Sequence, residues 1–385
     1  MHPQRFCYFD NNATAQVAPE VLEAMLPFLR EQWGNPSSAY GFGQEAARRL
    51  DEARVKAAAL INAEPQEIVF TSGGTESNNA ALHCALATRP ERRHLVTTAV
   101  EHPSILKFCA FSQKQGCGVT LLPVAPDGAL DLELMEKSIR PDTAIVSAMW
   151  ANNETGVLFP IAEIAALCHD KGVPCHTDAV QAAGKLKIDV KASGVDFLSL
   201  SAHKLRGPKG VGLLYVKRHT KYQPYLMGGG QERGRRGGTE NVPGIVGFGR
   251  AAELALANLD SENTRVRALR DALENGLLSG IPGVARNGAP EPRLPNTTNL
   301  AFEGVEAEGL LLLLDQAGIC ASSGSACSSG APDPSHVLRA MGCSTARSRG
   351  SIRFSLGIDN TKAEVEYALQ CLPGIVAKLR AQSEG

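Results

Sequence analysis

DFLSLSAHKLRGPKGVGLLYV, residues 196–216, sets an apolar run, a polar turn with one lysine, and a second apolar run in immediate succession. Runs of four to six mostly apolar residues bounded by glycine, proline and polar clusters read as strands buried on both faces. The same grammar repeats upstream. EIVFTS (67–72), HLVTTAV (94–100), VTLLPV (119–124), TAIVSAMW (143–150) and VPCHTDA (173–179) have this strand character. Between them, TESNNAALHCALA (75–87), PSILKFCAFSQKQG (103–116) and IAEIAALCHDKG (161–172) carry apolar residues at helical spacing, as do EVLEAMLPFLREQW (20–33) and GQEAARRLDEARVKAAALINA (43–63) nearer the start. Strands alternating with helices specify a mainly parallel sheet covered on both faces, an α/β architecture. From about residue 260 the pattern changes to longer helices with TTNLAFEG (297–304), GICASS (318–323) and SIRFSLG (351–357) as strands. The division expected is a large domain over 14–259 and a smaller α+β domain built from 1–13 and 260–385.

The chain has 385 residues, 43% of them hydrophobic, with a formal net charge of -1, so it can bury a large core and offers no general positive field to a nucleic acid. The local run RGRR (233–236) is better suited to a subunit interface or to docking an acceptor. MHPQRFCYFD at the start lacks the apolar core of a signal peptide, and LLLLL (310–314) is far short of a membrane span. A soluble, cytoplasmic protein is expected. The ten cysteines are scattered and none forms a C-x-x-C pair. Cys168-His169 and Cys175-His176 come nearest to a metal cluster, but on a strand Cys175 and His176 point to opposite faces, so no metal is expected in the resting protein. Most of these thiols read as core residues in a reducing compartment. Cys327 differs. It lies in SSGSACSSG (322–330), a hydrophilic setting that suits a reactive thiol on a mobile loop of about 322–335.

Ligands in such sheets gather where strands end and helices begin. In TSGGTESNN (71–79) a strand runs into Gly73, Gly74 and Thr75 at a helix start, where small residues and free N–H groups suit a phosphate; alone, this could equally be a capped turn. It has neither the G-K-[ST] ending of a P-loop nor a G-x-G-x-x-G spacing. In VPCHTDAVQAAG (173–184), Asp178 and Gln181 lie one turn apart just past a strand. A carboxylate there can hold a proton on a heterocyclic nitrogen and the amide can bond a ring oxygen, though a plain helix cap would look the same. Lys204 follows Ser201 and His203 at the next strand end, where a desolvated lysine can form a Schiff base and an ordinary one is merely exposed. A phosphate cradle, a carboxylate for a pyridinium nitrogen and a Schiff-base lysine together are the fixtures that pyridoxal phosphate requires.

From YFDNNATA through TSGGTESNN, EHPSI, ANNETG, HTDAVQ, SAHK, RRGGTEN and SSGSACSSG to SIRFSLG, the chain resembles the cysteine desulfurases, the NifS/IscS-like group of class V, fold-type I pyridoxal-phosphate enzymes. The resemblance implies a large domain with a mainly parallel seven-stranded sheet. It implies that Lys204 bonds the cofactor and shuttles protons at the substrate Cα, that His102 stacks on the ring, and that Asp178 pairs with the ring nitrogen. Gln181 and Asn153 would sit near the phenolic oxygen, Asn153 also near substrate. Gly74, Thr75, Ser201 and His203 would hold the phosphate, joined by Thr239 from the other subunit of a homodimer, and Arg353 would grip the substrate carboxylate. Cys327 would be the nucleophile that takes sulfur from L-cysteine as a persulfide, leaving alanine, with a cationic surrounding, including His102 if protonated, favouring its thiolate. Delivery to an iron–sulfur scaffold protein of the NifU/IscU kind is implied, with Cys327 itself a transient cluster ligand at most. WANNETG and the short tail AKLRAQSEG resemble the nitrogenase-type group. Selenocysteine lyase, or another class V enzyme, is the alternative; an aminotransferase would have no use for a cysteine in that loop, and a non-catalytic protein would not need Lys204, Asp178, Cys327 and Arg353 together.

Overall fold

The computed structural model describes residues 6–323 and 334–383; Cys327, with Gly324 and Gly330 around it, lies outside the described residues. A short strand β1 (Cys7–Tyr8) leads into helices α1 (Pro19–Arg30) and α2 (Gly41–Leu60). Then follow β2 (Ile68–Thr71), α3 (Gly74–Thr88), β3 (His94–Thr98), α4 (Pro103–Lys114), β4 (Gly118–Leu122), α5 (Leu132–Ser138), β5 (Thr143–Ser147), α6 (Ile161–Asp170), β6 (Cys175–Asp178), α7 (Val190–Ser193), β7 (Phe197–Ser201), β8 (Gly212–Val216) and α8 (Val242–Ala257). The seven strands β2 to β8 form one sheet in the order β2-β8-β7-β6-β5-β3-β4. Strands β4, β3, β5, β6 and β7 run parallel, and β8 lies antiparallel to both β7 and β2.

Every residue of β3, β5, β6, β7 and β8 is buried, which is why these strands read as continuous apolar runs. One sheet face is covered through Ala81, Cys84, Ile105 and Cys109 of α3 and α4 against Leu95, Ile145 and Phe197. The other is covered by α1, α2, α6 and α8 through Val21, Leu50, Ala53, Ile164 and Phe248. The insertion of β8 between β2 and β7 depends on Gly212, because a Cβ there would stand 2.5 Å from the Gly73 Cα and 2.8 Å from the Leu200 carbonyl oxygen. This close approach brings the β8 start against the glycine turn that opens α3.

A second core gathers Phe9, Leu273, Leu277, Leu310, Phe354 and Leu372. Around it stand the strands β9 (Val284–Arg286), β10 (Thr297–Phe302), β11 (Ile319–Cys320) and β12 (Ser351–Ser355), with the helices Arg267–Gly280, Ala307–Gln316 and Lys362–Ser383. Strands β9, β10 and β12 make an antiparallel sheet, while β1 runs parallel to β11. The N-terminal arm therefore belongs physically to this second core. GICASS, expected as a strand, keeps only two paired residues in β11, followed by a backbone bridge from Ser322 to Arg353. Among the described residues no helix is long and apolar enough to cross a membrane.

Candidate active site

The carboxyl ends of β2, β6 and β7 converge, as the sheet topology requires of neighbours that reach one edge. At the β2 end, Gly73 and Gly74 open α3. A Cβ at Gly74 would fall 2.9 Å from Val180 Cγ2, so the α3 N-terminus rests directly on the turn after β6, with Ser201 at the end of β7 beside it. Amide N–H groups, Thr75 and Ser201 therefore share one corner with the positive end of the helix dipole. His203 adjoins it, its Nδ1 3.1 Å from Thr14 Oγ1, and burial together with the neighbouring Lys204 charge pushes its imidazole down to about 4.

Asp178, at the last position of β6, is buried. Its Oδ2 accepts from Asn78 Nδ2 at 2.7 Å and its Oδ1 from the Val180 N–H at 3.0 Å. Asn78 also donates to Ser104 Oγ at 2.9 Å, and Ser104 Oγ lies 2.8 Å from His102 Nδ1. A hydrogen-bonded chain thus joins His102, Ser104, Asn78 and Asp178. His102 caps α4, its Nδ1 accepting the Ser104 N–H at 3.2 Å, and burial lowers its pKa although Asp178 pulls the other way. With Nδ1 accepting this hydrogen bond, the geometry and the lowered pKa both favour the neutral imidazole. The lowered pKa weighs against the protonated form of His102 as a source of positive charge in the site. A pocket of about 870 Å³ opens beside Thr75, His102 and Ser104.

Lys204 Nζ donates to the Asn12 carbonyl at 2.5 Å and the Ala13 carbonyl at 2.6 Å. Gln181 Nε2 donates to the same Asn12 oxygen at 3.0 Å. The Asn12 side chain reaches on to the Asn153 carbonyl at 3.2 Å, and Arg353 Nη1 donates to that carbonyl at 3.0 Å. Arg353 Nη2 pairs with Asp10 at 2.7 Å, while its buried Nε has no hydrogen-bond partner among the described residues. A buried guanidinium with an open N–H edge is a site for a carboxylate.

Of the residues singled out in the sequence, Gly74, Thr75, His102, Asn153, Asp178, Gln181, Ser201, His203, Lys204 and Arg353 fall within this connected cluster. Thr239 stands apart, exposed on the loop before α8, and among the described residues no hydrogen bond joins its side chain to the cluster. That loop is nonetheless fixed to its own chain: Arg236 pairs with Glu76 of α3 at 3.0 Å, and buried Glu232 pairs with Arg54 at 2.8 Å. The Cys168–Cys175 region is core, with the two thiols hydrogen-bonded and His176 held between Ser147 and Ser199. Unanticipated members of the site are Asp10, Asn12, Asn78 and Ser104. The first two sit in the polar YFDNNATA arm, and Asn78 lies one turn after Gly74 in TSGGTESNN, a spacing that puts it on the same helix face.

The class-V aminotransferase family matches residues 7–368. A cysteine desulfurase 2 of Trichormus variabilis is 54% identical over 376 residues, covering 98% of this chain and 94% of its own. The cysteine desulfurase NifS of Azotobacter vinelandii is 52% identical over 374 residues, covering 97% and 93%. The chain belongs to the cysteine desulfurase group of class-V aminotransferases. A solved NifS-like protein shares the fold with a TM-score of 0.91 and 39% identity, covering 97% of this chain and 100% of that one. A NifS-like protein from Rickettsia africae does so with a TM-score of 0.87 and 32% identity, covering 97% and 100%. Members of this family depend on pyridoxal phosphate, and the residues present fit it. The α3 N-terminus with the donors of Thr75 and Ser201, the buried Asp178 carboxylate and the Lys204 amine supply a place for phosphate, ring nitrogen and aldehyde carbon.

Proposed function

We propose that this cysteine desulfurase converts L-cysteine and the Cys327 thiol into L-alanine and a Cys327 persulfide, in which the substrate C–S bond breaks and an S–S bond forms. The observation that carries the reading is the pairing of Ser322 with Arg353: the chain enters the segment bearing Cys327 paired through its backbone with the residue whose guanidinium suits the substrate carboxylate. Bound pyridoxal phosphate supplies an electron sink for the pair left at the substrate Cα. Lys204 holds the cofactor and then moves the proton at Cα. Asp178, kept in place by Asn78 and the Val180 N–H, retains the proton on the ring nitrogen. His102 would cover the ring, and Gly74, Thr75, Ser201 and His203 would take the phosphate. Arg353 orients the substrate through the edge that bears its open Nε, with Asn153 alongside. Cys327, as thiolate, takes the sulfur.

The similarity to NifS proteins supports delivery of that sulfur to an iron–sulfur scaffold protein, in the assembly of nitrogenase cofactors. The exposed Thr239 loop, pinned beside the α3 N-terminus by Arg236, supports a homodimer in which Thr239 serves the phosphate of the other subunit. Two domains, 14–259 and 1–13 with 260–385, meet at the site, and the free thiols among the described residues suit a reducing cytoplasm. The direct test is product balance. Enzyme loaded with cofactor and given L-cysteine with a thiol reductant should form alanine and sulfide in equal amounts; pyruvate or amino-group transfer in their place would overturn the reading.

A further inference from the structure

Lys185, in the turn after β6, is buried, yet no step above uses it. Its Nζ donates to the Gln181 backbone carbonyl at 3.1 Å and to Gln181 Oε1 at 3.3 Å. An ammonium has only donors, so the amide atom that faces it must be the oxygen. The carboxamide is thereby locked with its Nε2 turned the other way, onto the Asn12 carbonyl that also accepts from Lys204 Nζ. Gln181 thus presents an N–H donor next to the amine that bonds the cofactor. Burying a cation is costly where an apolar side chain would pack. Burial indeed pushes the Lys185 ammonium down to about 8, although Glu262 favours the charge.

We propose that Lys185 is a positioning residue that fixes the Gln181 carboxamide as an N–H donor toward the cofactor. It deepens the reading above and rests on the placement of Gln181 at the cofactor's ring oxygen. The surroundings of Lys185 are mixed in charge. Glu20, Lys204, Arg206 and Glu262 line with it a cavity of about 90 Å³, and Arg353 and His203 feel its charge. Glu262 Oε2 is buried there without a hydrogen-bond partner among the described residues. The cavity leaves room for a larger cation at position 185.

The experiment follows the visible absorbance of the cofactor-loaded enzyme against pH, and the affinity of the apoenzyme for pyridoxal phosphate. The variants are Lys185→Met, Lys185→Arg, Gln181→Ala and the double variant Lys185→Met with Gln181→Ala. Losing an N–H donor at the ring oxygen favours retention of the cofactor's proton, so Lys185→Met should move the absorbance midpoint upward, by about half a pH unit or more. Lys185→Arg, which keeps a donor, should restore the wild-type midpoint. The double variant should match Gln181→Ala alone, because a residue acting through another adds nothing once that other is gone. If the methionine variant does not load cofactor, Lys185→Ala, whose space water can enter, takes its place. A Lys185 effect that persists in full without Gln181, or no shift at all, overturns the inference. A silent Gln181→Ala would instead remove Gln181 from the cofactor, a separate failure.

Discussion

Ser322 and Arg353 exchange both backbone hydrogen bonds, Ser322 N–H to the Arg353 carbonyl at 3.2 Å and Arg353 N–H to the Ser322 carbonyl at 2.6 Å. The Arg353 side chain, from the same residue, binds the Asn153 carbonyl and Asp10. One residue therefore ties the entry of the Cys327 segment to the turn that carries Asn153. Since an extended chain advances at most about 3.6 Å per residue, Cys327 stays within about 18 Å of Ser322. Chain length alone therefore keeps the thiol within reach of the site.

Replacing Arg353 by lysine keeps the charge and removes the planar fork. Charge-assisted hydrogen bonds contribute about 1.5–3 kcal/mol, so the KM for L-cysteine should rise roughly 10- to 100-fold while cofactor loading is retained. Steady-state kinetics check this. An unchanged KM would place the carboxylate elsewhere.

Lys204→Ala should stop alanine formation and abolish the visible absorbance of lysine-bound cofactor, while the contacts at Asp178 and the α3 N-terminus still retain some of it. Spectra and single-turnover alanine assays of the purified variant decide the matter.

Much of this was legible because strand ends concentrate polar residues. SAHK, HTDAVQ and TSGGTESNN each break an apolar run at the sheet edge, and they hold Lys204, Asp178 with Gln181, and Gly74 with Thr75. Local pattern carries no information about which distant segments return to that edge. Asn12 enters the site only because β1 pairs with β11 in the second core, which sets the arm against Lys204. Helix α8 follows a glycine-rich loop without a strand signal ahead of it, and the antiparallel placement of β8 depends on the Gly212 contact with Gly73, a tertiary event. Lys185 reads as an ordinary turn lysine, since burial is invisible in GKLK.

The second core contains an acid-sensitive group. Burial alone would raise the Glu274 carboxyl, but hydrogen bonds from Arg293 and Thr298, with the charge of Arg293, outweigh it and bring it down to about 2. A carboxyl lowered on folding stabilises fully above its unfolded value near 4.5, and that stabilisation is lost as pH falls toward 2. Glu274→Gln should lower the thermal midpoint at pH 7 and flatten its decline below pH 4.5. Calorimetry across that range would show an undiminished acid slope if the cluster were not responsible.

If Thr239 serves the partner's site, mixing Thr239→Ala with Lys204→Ala subunits should restore activity. In the mixed dimer, one of the sites joins an intact Lys204 to an intact Thr239. Absence of recovery after subunit exchange would place Thr239 in its own chain's site.

Sulfur transfer to Cys327 leaves the acquired atom on that thiol. Mass spectrometry of the enzyme after brief exposure to L-cysteine should find one added sulfur on the peptide carrying Cys327, and none on those carrying Cys320 or Cys343. Cys327→Ala should bind cofactor and substrate yet form almost no alanine, and Cys327→Ser should fail likewise, since a hydroxyl neither attacks sulfur as a thiolate does nor stores a persulfide. Added sulfur on Cys320, or near-normal alanine formation by Cys327→Ala, would contradict the account.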